Sequence, residues 1–75
     1  MDIVEIREEP IELYKLLKLA NITASGGEAK MVVAEGLVRV NGIVETRKRK
    51  KIIAGDIIEM ENEQIQVVLQ SNIEE

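Results

Sequence analysis

The sequence predicts an α+β domain in which two short helices pack on a small, mostly antiparallel sheet, in the order β-α-α-β-β-β-β. Three observations predict it. Leu13, Leu16, Leu17 and Ala20 recur at i, i+3, i+4 and i+7, the stripe of a half-buried helix. Ser25 followed by Glu28 is a capping box, the start signal of a second helix. From Leu37 the apolar period drops to two, and Asn41-Gly42 stands between two apolar runs. With 75 residues there is room for one domain, residues 1–75, with a thin core.

Taken in order, Asp2–Ile6 is a short β-prone stretch that ends in the charged run Arg7-Glu8-Glu9. Pro10, the only proline, is tolerated in a helix's first turn and no deeper, so the first helix is placed from about Ile11 to Leu19. The second helix runs from the Ser25 cap to Gly36 and buries Ala29, Val32 and Val33. Leu37–Val40 and Ile43–Glu45 form a hairpin, because a type I′ turn needs positive φ at both central residues and Asn-Gly accepts it. Thr46–Lys51 is a basic connection, and Ile52-Ile53 leads into the turn Ala54-Gly55-Asp56. Ile57–Glu61 and Gln64–Leu69 are strands about a polar reversal at Asn62-Glu63, and residues 71–75 are expected to fray.

Composition removes several kinds of chemistry. The chain has no Cys and no His, so a thiolate or imidazole metal site, a disulfide framework and a His-based acid/base pair are excluded. Asp56, Glu59, Glu61 and Glu63 are scattered acids on strands and turns; alternation puts Glu59, Glu61 and Glu63 on one sheet face, but a divalent-metal site built from them is disfavoured. The expectation is a non-enzyme with no cofactor, no metal and no small-molecule substrate, acting as a monomer. The N-terminus carries Asp2 at once and lacks the apolar core of a signal peptide, and no later run is long enough to span a bilayer. No membrane association and a cytoplasmic location follow as expectations.

The net charge of −4 is unevenly spread. Between Lys30 and Lys51 seven basic residues stand against Glu35 and Glu45, a local charge of +5, so the remainder carries −9. A partner within a Debye length feels the local patch. Arg47, Lys48, Arg49, Lys50 and Lys51 are adjacent cations whose repulsion opposes folding, and phosphate is their natural partner. The bland alternative is a solvated loop or a receptor-read tag. At the second helix, Ser25, Gly26 and Gly27 leave backbone N–H groups at the positive end of the macrodipole with Lys30 one turn in, an anion site or simply a cap. Lys15 and Lys18 read as solvated. Tyr14 is the one aromatic residue, so recognition by base stacking is not expected. Backbone and shape reading of folded RNA, or of DNA, is what remains.

Leu16-Leu17-Lys18-Leu19, Ser25 with Ala29-Lys30, Glu35-Gly36-Leu37-Val38-Arg39-Val40-Asn41-Gly42 and Ala54-Gly55-Asp56-Ile57-Ile58 resemble, in order and spacing, the S-four RNA-binding domain, also called the alpha-L motif. The resemblance spans Leu13 to Glu59, within an RNA-binding-like core placed at 11–60, and the chain is similar to the small stand-alone bacterial members. It implies two helices on a small twisted sheet and binding of structured RNA, ribosomal or transfer, through the start of the second helix and adjoining loops. Carried over by position, it implicates Ser25, Lys30, Arg39 and Asn41. Gly26 and Ile11-Glu12 stand where many members carry arginine, and the Arg47–Lys51 run is the candidate compensation. The expected function is RNA binding through phosphates. The alternative is an adaptor, ribosome-associated, that docks an acidic protein surface through the same loop.

Overall fold

The computed structural model describes residues 2–70; the expectation of a frayed tail at 71–75 lies outside them. The elements are β1 (Asp2–Ile6), β2 (Ile11–Glu12), α1 (Leu13–Leu19), α2 (Gly26–Ala34), β3 (Val38–Val40), β4 (Ile43–Val44), β5 (Lys51–Ile52), β6 (Ile57–Met60) and β7 (Glu63–Leu69). Five strands form one sheet in the order β1-β7-β6-β3-β4, and β2 pairs with β5 apart from it. Its ladders are antiparallel except β1–β7, which runs parallel with Val4 opposite Val67. Two helices on a mostly antiparallel sheet is the predicted class, with β2 and β5 added.

Each helix ends by the same device. Gly36 (φ 78°) donates its N–H to the Val33 carbonyl and Leu37 donates to Val32, the paired bonds of a Schellman motif. At the end of α1, Asn21 (φ 61°) donates to Lys18 and Ile22 to Leu17, the same motif with asparagine in the left-handed position. The start of α2 follows the capping-box expectation with one change. Ser25 Oγ accepts the Glu28 N–H at 3.1 Å, but the Glu28 carboxylate reaches one residue further back, to the Ala24 N–H at 2.7 Å.

The start of α1 departs from expectation. Ile11 and Glu12 are extended and pair with Ile52 and Lys51, and the helix begins at Leu13, so Pro10 precedes a strand and not a helix. The physical reason is where the first N–H groups find acceptors. Among the described residues no side chain caps α1. Instead Leu13 N–H donates to the Lys50 carbonyl at 2.9 Å and Tyr14 N–H to the Lys48 carbonyl at 3.0 Å. Two donors that a helix start leaves open are thereby satisfied by a distant loop.

The core joins Leu13, Leu16 and Leu17 of α1 with Ala29, Val32 and Val33 of α2, and with Val38, Val40, Ile52, Ile58, Ile65 and Val67 from the strands. Along β3 the order buried, exposed, buried at Val38, Arg39 and Val40 is the two-residue period read from the sequence. Leu16 and Leu17 are fully buried, and truncating either to alanine costs about 2–5 kcal/mol.

Candidate nucleic-acid interface

The basic run is not one uniform patch. Lys50 N–H donates to the Arg47 carbonyl at 3.1 Å, a β-turn with Lys48 and Arg49 at its corners. Because the carbonyls of Lys48 and Lys50 are held by α1, the loop's main chain is fixed while the Lys48 and Arg49 side chains stand in solvent; Lys50 is half-buried. Arg47 is committed elsewhere. Its Nε and Nη2 donate to Glu45 Oε2 and Oε1 at 2.9 and 3.0 Å, and its backbone N–H also donates to Oε2 at 2.9 Å. These bonds hold the Glu45 carboxyl down at about 2, from an ordinary value near 4.5, and raise Arg47. Lys51 lies in β5 opposite Glu12, and it lines a groove shared with Glu5, Glu8 and Glu12. Of the five cations, Lys48, Arg49 and Lys50 are therefore the ones set around the turn.

At α2, the cap uses the Ser25 hydroxyl, leaving Gly26 and Gly27 as the N–H groups of the first turn without a side-chain acceptor among the described residues. The Glu28 carboxylate at the same end weakens the pull on an anion. Next to this turn lies Tyr14. A Cβ placed on Gly26 would sit 3.9 Å from the ring, and the Lys30 ammonium lies 4.7 Å from the ring centroid, a cation–π contact. Lys15 Nζ is 5.9 Å from the same ring and is paired with Glu12 at 3.4 Å. Tyr14 thus touches both candidate regions, the loop through its backbone and α2 through its ring. Sequence reasoning weighs Tyr14 only as a stacking platform and does not place it at the site; its standing as the single aromatic at the start of the helix was the available signal.

The other two candidates belong to the β3–β4 hairpin. Arg39 projects from the sheet face opposite the core side chains of β3, directly across from Glu59 on β6. Asn41 (φ 54°) and Gly42 (φ 84°) make the left-handed hairpin corner, and the Asn41 side chain is spent on it. Its Nδ2 donates to Asp56 Oδ1 at 3.0 Å and its Oδ1 accepts the Ile57 N–H at 2.9 Å. Asp56 Oδ2 in turn accepts the Ile53 N–H at 3.0 Å, closing the Ala54-Gly55 turn. Glu59, Glu61 and Glu63 do not share a face, since β6 ends at Met60 and Glu61 (φ 56°) turns the corner. Among the described residues no three acids are grouped to hold a metal ion, and no helix is long and apolar enough to cross a membrane.

A model of the S4 domain matches residues 4–68. The chain belongs to the S4 domain family. Within that family it is 50% identical over 58 residues to YbcJ of Escherichia coli (strain K12), covering 77% of this chain and 83% of that one. It is 40% identical over 58 residues to the Bacillus subtilis (strain 168) protein named "Probable ribosome maturation protein RlbA", covering 77% and 82%. The solution structure of Escherichia coli YbcJ, described as revealing an alpha-L motif involved in RNA binding, superposes with a TM-score of 0.71 at 45% identity, over 91% of this chain and 87% of that one. The S4 domain match reaches past the region 11–60 on both sides, taking in most of β1 and β7.

Proposed function

We propose that this S4 domain is a non-enzymatic RNA-binding protein that engages phosphates of structured RNA, ribosomal or transfer RNA, in the cytoplasm. The observation that carries the reading is the anchoring of the basic loop. Hydrogen bonds from Leu13 and Tyr14 to the loop carbonyls fix its main chain and leave the Lys48, Arg49 and Lys50 ammonium and guanidinium groups to a ligand. A loop already ordered loses less conformational entropy on binding than a free one. Phosphates spaced along a folded RNA match such an array, and the Gly26 and Gly27 amides with Lys30 add donors at the start of α2. The family relationship to YbcJ, whose structure is described through RNA binding, supports the same reading, and the name of RlbA points toward the ribosome.

The test is an anisotropy titration against a structured RNA, an unstructured RNA of equal length and a DNA duplex at several salt concentrations. Tighter binding to the structured RNA is expected. With about four phosphates neutralised, log K should fall against log salt with a slope of roughly −3 to −4. Equal affinity for all three probes, or none for any, overturns the proposal and turns attention to an acidic protein partner.

A further inference from the structure

Tyr14 is half-buried and held at both ends: its N–H donates to the Lys48 carbonyl at 3.0 Å, and its ring packs beside Gly26 with Lys30 Nζ 4.7 Å from the centroid. Neither of the two ion pairs among the described residues, Lys15–Glu12 and Arg47–Glu45, involves Lys30. Lys30 therefore keeps its charge for a ligand, and its ammonium stands over the ring face, which biases its rotamers toward that position. A lysine has four rotatable bonds, and fixing it beforehand removes an entropic cost from binding.

We propose that Tyr14 is the positioning residue of the interface: its ring seats the Lys30 ammonium beside the start of α2 while its backbone seats Lys48, so that helix and loop cations meet phosphates as one preformed array. This deepens the RNA-binding reading and rests on it. The aromatic face does the work, and the phenolic hydroxyl is dispensable. A cation–π contact at an exposed site corresponds to about a two- to five-fold change in affinity.

The experiment compares wild type, Tyr14→Phe, Tyr14→Leu, Lys30→Gln and the Tyr14→Leu/Lys30→Gln double variant, each checked for fold by amide NMR spectra. In the absence of RNA, the Lys30 Hε protons should show an upfield ring-current shift in wild type and Tyr14→Phe that disappears in Tyr14→Leu. Against the structured RNA, Tyr14→Phe should bind as wild type and Tyr14→Leu two- to five-fold more weakly. The double variant should be no weaker than Lys30→Gln. An unshifted Lys30 in the wild type, equal binding by folded Tyr14→Leu, or additive losses in the double variant would overturn the assignment while leaving RNA binding intact. Should Tyr14→Leu fail to fold, Tyr14→Phe against Lys30→Gln with the ring-current shift still decides it, because a shift absent from the wild type and Phe proteins refutes the seat. A wild type that binds no structured RNA overturns both readings together.

Discussion

Two turns in this domain, Asn41-Gly42 and Lys48-Arg49, are held by opposite means. In the first the side chain is consumed: both ends of the Asn41 amide are bonded, to Asp56 and to the Ile57 N–H. In the second the main chain is consumed: the carbonyls flanking Arg49 accept the first N–H groups of α1, and the cationic side chains are left over. The difference shows which polar residues remain available to a partner. A turn closed by its side chains is scaffold, whereas a turn closed by its backbone presents what it carries.

The largest effect should come from stripping the second turn. Lys48→Gln/Arg49→Gln/Lys50→Gln should keep the fold, because the bonds to α1 use carbonyls, and should flatten the salt slope of RNA binding to roughly −1. An unchanged slope would mean the loop cations touch no phosphate. The first turn should answer in the opposite sense. Asn41→Gly keeps the positive φ but loses two hydrogen bonds, so urea denaturation should show a loss of about 1–2 kcal/mol, with RNA affinity of the folded protein within two-fold of wild type. A large affinity loss with unchanged stability would make Asn41 a contact and erase the distinction.

A smaller change sharpens it at Arg47, a loop cation whose side chain is bonded to Glu45. Ser25→Ala offers a comparable measure at α2, about 1 kcal/mol of stability for a lost cap. Glu45→Gln should release Arg47 to the ligand and steepen the salt slope by roughly 1. The same pair gives a pH signature. The Glu45 carboxyl is depressed to about 2 in the folded protein, so its contribution to stability is complete above about 4.5 and is lost as pH falls toward about 2. Thermal melts across that window should fall with acid in the wild type and fall less in Glu45→Gln.

What the sequence disclosed follows the same division. The Ser25 cap, the Gly36 terminus and the Asn41-Gly42 turn were legible because side-chain chemistry of neighbouring residues decides them. The β2–β5 pairing and the bonds from α1 to the basic loop were not, since they join backbone groups far apart in the chain and carry no residue-type signature. That is also why the first helix was expected two residues too early. At the candidate site, the cationic run was plain, but its division was not: Arg47 turns back to Glu45, Lys51 is drawn into a strand, and the Tyr14–Lys30 contact exists only once α1 packs on α2. The Glu45–Arg47 pair itself was open to inspection as opposite charges flanking Thr46.

The place of β7 has a consequence for how the protein is made. Among the described residues it is the last sheet strand in chain order, yet it lies between β1, the first of them, and β6, giving backbone partners to both and placing Ile65 and Val67 in the core. A nascent chain still lacking Glu63–Leu69 has β1 without the strand it pairs with here and the core without Ile65 and Val67. Closure of the sheet therefore waits for Glu63–Leu69, and a stop within β7 removes two ladders at one stroke.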